Sequence, residues 1–327
     1  MTHTLRLANP FEAATLCTCI ARTVRVINAV VLALPAICVT LCCPAAAKTG
    51  SRTLERIQAT GVISVGYRTT SAPFSYLDGR RRPIGYSIDI CDRIVQAIRR
   101  ETKLPELRIR MVAVTTATRL PMLAVGNIDL ECGVTTHTVE RERSVGFSVT
   151  TFVSASRLLS RRSAGIQSVD DLRGKTVATT LSTTSMQYLT KVNAERSLAM
   201  RIVAGIDDED AFSMVRRGEA IAFAMDDVLL KSVLAGAQDG QAFTVSEHAL
   251  TVEPYAIGLP PKDAKFKEVV DRAIKELFVS GEIHVLYKRW FESKIPFRNI
   301  NLRLPMSGQL RRVVERPTDS PDPDIYR

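Results

Sequence analysis

Between Ala113 and Ser148 the chain reads AVTTATRLPMLAVGNIDLECGVTTHTVERERSVGFS, and two of its loops carry the residue types needed to hold an anion. One loop, TTATR, ends at Arg119, and the other, GVTTHTVER, ends at Arg141. An arginine fork grips a carboxylate through two parallel N–H···O bonds. Threonine and serine are favoured at helix starts because their hydroxyls satisfy orphan backbone N–H groups, and a helix start itself attracts anions. Two such loops side by side would form a carboxylate cradle. Either loop alone reads more simply as an ordinary N-cap with its arginine solvated on a helix face, and it is the order of the parts that favours the cradle.

The elements around these loops follow one pattern. A short helix at Thr53–Ile57 leads into GVISVGYR, an alternating apolar strand that ends at Tyr67-Arg68. A turn at Asp78-Gly79 follows, then a helix from about Ser87 to Glu101 with Ile90, Ile94, Ala97 and Ile98 on its apolar face. RIRMVAV is the next strand, and MLAVGNIDLECG reads as a helix end, a Gly126-Asn127 turn and a short strand. A second unit from about Val153 repeats the alternation, with a helix start at Ser182–Ser185, a helix in DEDAFSMVRRG and a strand, AIAFAMDD, that delivers Asp226. Alternating strands and helices predict α/β units with mostly parallel sheets, whose ligands sit at the carboxyl ends of the strands. Arg68, Arg119, Arg141, Thr184 and Asp226 all fall at strand ends or helix starts.

The order of these parts resembles the solute-binding proteins of bacterial amino-acid ABC importers, family 3, and within them the glutamate/aspartate-binding branch. The phrases that carry the resemblance are Gly133-Val134-Thr135 followed by a helix with Arg141, Pro73-Phe74-Ser75-Tyr76-Leu77-Asp78, and Gly85-Tyr86-Ser87-Ile88-Asp89. The likeness spans roughly Thr53 to Leu304. It implies a periplasmic-binding-protein-like α/β fold, with two lobes joined by a two-strand hinge and the ligand cleft between them. On that reading residues 51–152 open lobe 1, 153–250 form lobe 2 and 251–305 return to lobe 1. Residues 306–327, polar and proline-rich, are expected to be a disordered tail.

A free amino acid needs donors for its α-carboxylate and an acceptor for its ammonium. Arg141 with Thr136 fits the first task and Asp226 the second, with Asp227 as the neighbouring rival. The resemblance assigns these residues in the same way. It adds Thr116 for the α-carboxylate, the backbone carbonyl of Val134 for the ammonium, and Arg68, Arg119 and Thr184 for an acidic side chain. Phe74 is a packing residue that could also line the ligand's carbon chain. One position departs from the branch: Asp208 stands where a histidine helps hold the side-chain carboxylate. Two like charges about 4 Å apart cost on the order of 4 kcal/mol at an effective dielectric near 20, so glutamine is the alternative ligand.

Bulk properties bound the rest. The chain has 327 residues, net charge +10 and 46% hydrophobic residues, enough for two modest cores. Residues 1–47 carry arginines, an apolar run from Val26 to Cys43 and then Pro44-Ala45-Ala46-Ala47, which reads as a secretory signal peptide cleaved after Ala47. Its removal takes three basic residues and one acidic, leaving +8, and five of the seven cysteines. Cys91 and Cys132 remain, and as nothing in the sequence places them together, two separate buried thiols are expected. No histidine has metal-ligand spacing to a cysteine, so no metal site and no cofactor are expected. The basic clusters are short and scattered, without the stripe or aromatic interleaving of a nucleic-acid binder. The expected partners are a free amino acid and the membrane subunits of an ABC permease, with the protein itself a periplasmic monomer. A dehydratase-type enzyme on the same scaffold would need an acid–base residue in the cleft, for which Asp208 or His137 could be named. His137 more simply caps its helix start or faces solvent. A sensory module and a cell-wall lytic enzyme are weaker rivals, since no signalling or second catalytic domain follows Trp290.

Overall fold

The computed structural model describes residues 50–298 and 300–327; the signal-peptide reading of residues 1–47 lies outside the described residues. The first elements are α1 (Arg52–Thr60), β1 (Val62–Tyr67), β2 (Thr70–Ser71), β3 (Ser75–Leu77), β4 (Pro83–Ile84), α2 (Tyr86–Thr102), β5 (Arg108–Ala113), α3 (Arg119–Ala124), β6 (Leu130–Glu131) and α4 (Val139–Glu142). They are followed by β7 (Gly146–Arg161), β8 (Thr176–Thr180), α5 (Thr184–Glu195), β9 (Arg201–Gly205), α6 (Asp208–Arg216), β10 (Ala222–Asp226) and α7 (Asp227–Gly236). The chain ends through β11 (Phe243–Val245), β12 (Thr251–Leu259), α8 (Ala264–Val279), α9 (Glu282–Tyr287) and α10 (Gly308–Glu315).

Nine of the strands form one sheet, along which the order is β5-β1-β6-β12-β7-β10-β8-β9, with β11 on the side of β7. Its two ends are parallel: β1 pairs in parallel with β5 and β6, and β8 with β10 and β9. Each parallel strand is followed by a helix or loop that returns over the sheet, as short crossovers require. Two long strands, β7 and β12, run antiparallel between the two ends and join them. This is a two-lobed α/β fold with a two-strand hinge. The boundary expected at Val153 falls inside β7, which runs unbroken for 16 residues from one lobe to the other. The register of β12 on β7 shifts at Tyr255/Ala256 and again at Ala256/Gly258, in the middle of that crossing.

The lobe that holds α1 and α10 is centred on an aromatic cluster. Phe74 meets Tyr86, Phe152, Tyr255 and Phe291 edge-on, with ring centroids 4.9 to 6.0 Å apart. Such edge-to-face contacts add to the burial of large apolar surface. Phe74 is therefore a fully buried core residue. Among the described residues, no helix is long and apolar enough to cross a membrane.

Two expectations are corrected. Cys91, on α2, and Cys132, just past β6, form a disulfide, with Cα atoms 6.3 Å apart. Helix α2 lies against the strand end, a juxtaposition that only the tertiary packing specifies. The tail from residue 306 is also ordered. Ser307 caps α10, whose Leu310 and Val313 are buried, and Tyr326 is 1% exposed. The Thr150 N–H of β7 donates to the Thr318 carbonyl at 2.8 Å, and the Thr150 and Tyr326 hydroxyls lie 2.8 Å apart. Met306, Leu310, Val313 and Tyr326 dock a polar segment against the hinge, a pattern too sparse for composition to register.

Candidate functional site

Six chain segments deliver polar side chains to the carboxyl ends of the parallel strands. Arg68 follows β1, Thr116 and Arg119 follow β5, and Glu131 to Arg141 follow β6. Thr180 to Thr184 follow β8, Asp208 follows β9, and Asp226 ends β10. The loop after β6 is fixed from several sides. Ser87 Oγ donates to the Gly133 carbonyl at 2.7 Å, and Thr135 Oγ1 donates to Glu131 Oε2 at 2.6 Å. The Ala256 and His137 N–H groups bond the Thr135 and Pro254 carbonyls at 3.1 and 2.8 Å, which stitches this loop to hinge strand β12. A Cβ at Gly133 would collide with Glu131 Oε1 and the Arg68 Cγ, so glycine lets this carboxylate and this arginine stem approach.

The three arginines are buried, at 5% exposure for Arg68, 3% for Arg119 and 8% for Arg141. Among the described residues, none of them forms an ion pair with a carboxylate of the protein. Arg119 Nη1 donates to the Val134 carbonyl at 2.5 Å, and Arg141 Nη1 to the Thr136 carbonyl at 2.8 Å. Burial pushes the Arg119 pKa down to about 9, with Glu131 opposing and Arg141 and Arg68 reinforcing that shift. Burial also lowers Arg141, against the pull of Glu253 and Asp226. Buried cations without counter-ions are costly.

The acids are distributed around them. Asp226 accepts a short hydrogen bond from the Tyr255 hydroxyl through Oδ2, while its buried Oδ1 has no partner. Burial, reinforced by Glu253, raises Asp226 well above the usual carboxylate range. Thr184 Oγ1 donates to Glu253 Oε2 at 2.8 Å, and Thr251 holds the other oxygen. Asp208 accepts from Thr180 Oγ1 at 2.6 Å and is raised by burial first. The Thr116 hydroxyl and Glu131 Oε1 are buried without partners. A cavity of about 520 Å³ opens beside this set, lined among others by Thr136, Glu140, Thr184, Gln187 and Glu253. It lies between elements of both lobes, whose rims meet where Gln187 Nε2 donates to Glu140 Oε2 at 3.3 Å.

All nine residues expected from the sequence thus lie at this end of the strands, with two adjustments. The Val134 carbonyl is engaged by Arg119, because a desolvated guanidinium must find an acceptor. The Thr184 hydroxyl is directed to Glu253, beside Asp226 and Arg141, and not to Arg68 and Arg119. His137 neither caps a helix nor faces solvent. It is buried, stacked on Phe147 at 4.3 Å and bonded through Nε2 to Glu142 at 2.7 Å, while Thr138 caps α4. Asp227 points elsewhere, accepting from Ser154 at 2.8 Å and pairing with Lys231. Sequence reasoning missed Glu131, Glu253 and Tyr255. For the two acids the available signal was a charge inside an apolar strand, Glu131 in IDLEC and Glu253 in TVEPYAIGL, where a buried charge demands a purpose.

Residues 63–293 match the family model of bacterial extracellular solute-binding proteins, family 3. The chain belongs to that family. An L-glutamate/L-aspartate-binding protein of Pseudomonas aeruginosa is 41% identical over 280 residues, covering 85% of this chain and 93% of the relative. The glutamate/aspartate import solute-binding protein of Escherichia coli is 35% identical over 274 residues, 84% of this chain and 91% of that one. Among solved structures, a mutant of ArgBP from T. maritima superposes with TM-score 0.66 at 25% identity, over 74% of this chain and all of that one. As a family-3 protein this chain is an extracellular solute-binding protein.

Proposed function

We propose that this solute-binding protein takes an acidic amino acid, glutamate or aspartate, into the cleft, closes its lobes over it and delivers it to an ABC permease in the periplasm. The observation that carries this reading is the set of three buried arginines without carboxylate partners of their own. An α-amino dicarboxylate supplies two carboxylates and one ammonium to a site with three cations and acids grouped near one of them. Arg141 with Thr136 takes the α-carboxylate, and Thr116 adds a hydroxyl. Asp226 and Glu253 receive the ammonium, helped by the free lone pair of the Val134 carbonyl. Arg68 and Arg119 take the side-chain carboxylate. The names of the relatives from P. aeruginosa and E. coli support the same ligand class.

On this reading the protein does no chemistry and acts as a monomer, secreted by a signal peptide cleaved after Ala47. Its lobes comprise residues 51–152 with 251–305, and 153–250. Ligand favours the closed state because each lobe makes its contacts only when shut. A second reading, glutamine, is favoured by Asp208, whose carboxylate would suit an amide N–H. Calorimetry on the chain from Lys48, unfolded and refolded to strip any carried ligand, separates the two. Glutamate or aspartate should bind, and glutamine and arginine much more weakly. Preferred glutamine binding would transfer the assignment to the amide, and silence with every amino acid would remove the ligand class.

A further inference from the structure

Asp208 sits where a second negative charge should be least welcome. It is the first residue of α6, whose N-cap, Asp207, accepts from the Asp210 N–H at 2.9 Å. Asp208 is 8% exposed, and its Oδ1 takes the Thr180 hydroxyl at 2.6 Å. Its Oδ2 has no hydrogen-bond partner among the described residues, and neither Arg68 nor Arg119, the cations facing it, forms an ion pair with it. Asp207 and Asp226 face it with like charge. Burial without a bonded cation favours the protonated carboxyl, against the pull of the Thr180 hydroxyl, Arg68 and Arg119. Burial shifts this carboxyl in that direction.

Building on the acidic-ligand reading, we propose that Asp208 enters the complex as a neutral carboxylic acid, whose Oδ2–H donates to the side-chain carboxylate of the bound amino acid. The hydrogen bonds then close without conflict. Oδ1 accepts from Thr180, Oδ2 donates to the ligand, and Arg68 and Arg119 are left to the ligand's carboxylate. The proton costs nothing where Asp208 is already neutral and must be taken from solvent where it is not. Asp208 is thereby a specificity-determining residue. As a neutral donor it favours a carboxylate over an amide, and once ionised it would accept from an amide N–H and repel a carboxylate. The ratio Kd(glutamine)/Kd(glutamate) should therefore fall with rising pH, by about tenfold for each pH unit above the titration of Asp208.

The test is calorimetry with both ligands from about pH 5.5 to about pH 9, on the wild type, Asp208→Asn and Asp208→Ser. Asparagine keeps the acceptor for Thr180 and an N–H donor for the ligand without titrating. The expected result is a ratio that falls with pH in the wild type and stays level in Asp208→Asn, which binds glutamate within about threefold of the wild type at the acid end. Thermal unfolding without ligand establishes that each variant is folded, and Asp208→Ser supplies a hydroxyl donor that does not titrate in this range if the asparagine variant does not fold. A level ratio in the wild type, or an Asp208→Asn that binds glutamate more than about tenfold worse at acid pH, overturns the proposal while leaving the acidic-ligand reading in place. Failure of the wild type to bind either acidic amino acid at any pH removes both.

Discussion

The two ends of the cleft are built from the same residue types in opposite proportion. At one end Arg141 stands among acids: Asp226 and Glu253 are both near enough to pull its protonation upward. These two acids also repel each other, and Asp226 is held back from ionising by burial and by Glu253. At the other end cations crowd together, and Arg119 is depressed by burial and by both Arg141 and Arg68. The first end has two acids for one arginine, and the two arginines of the second have no carboxylate paired to them among the described residues. A zwitterion with an acidic side chain supplies a cation to the one and an anion to the other, and binding offsets the unfavourable charges at both ends at once. On the proposed reading, these uncompensated charges are what an acidic amino acid completes.

The ends should be separable by substitution. Arg141→Ala removes the α-carboxylate fork shared by every amino acid and should weaken glutamate and glutamine alike, by about 4 kcal/mol or roughly a thousandfold. Parallel calorimetric titrations measure this, and a loss confined to glutamate would mean the ends have been assigned the wrong way round. Opening the disulfide with Cys91→Ser and Cys132→Ser should lower stability by about 3 kcal/mol, seen as an earlier denaturant midpoint. Cys132 leads into the Gly133–Thr136 loop that serves both ends, so the two ligands should again weaken together. Arg68→Met touches only the side-chain end. It should cost glutamate about 2 to 3 kcal/mol and glutamine distinctly less; equal losses would dissolve the distinction.

The smallest effect concerns the acid-rich end. Asp226→Asn relieves the repulsion with Glu253 and should stabilise the ligand-free fold by about 1 kcal/mol while weakening every amino acid. In the wild type, Asp226 must be ionised to hold an ammonium. Its pKa in the empty site is raised, so affinity should be present above that pKa and fall as pH drops through it. The asparagine variant should lose this acid limb. Calorimetry across the acid range reads both effects.

Much of this was legible in the chain. Alternating β and α periodicity gave the two-lobed architecture, and the hydroxyl-rich loops before Arg119 and Arg141 marked the site, because N-caps and anion sites use the same exposed N–H groups. The resemblance supplied what periodicity cannot, namely that Arg68, Asp208 and Asp226 converge from segments far apart in sequence. What stayed hidden depended on tertiary contact alone. The Cys91–Cys132 bond joins a helix face to a strand end, and the tail docks through Leu310, Val313 and Tyr326 spread over a polar segment. Glu253 and Tyr255 lie in a strand that reads as apolar hinge, and their role appears only where that strand passes Asp226 and Thr184.

The central claim is that a dicarboxylic amino acid spans the two ends, and a crystal structure of the glutamate complex tests it most directly. The account predicts the α-carboxylate on Arg141 and Thr136, the ammonium on Asp226 and Glu253, and the side-chain carboxylate between Arg68 and Arg119 beside Asp208. A ligand turned end for end, or one that leaves Arg68 and Arg119 untouched, would contradict it.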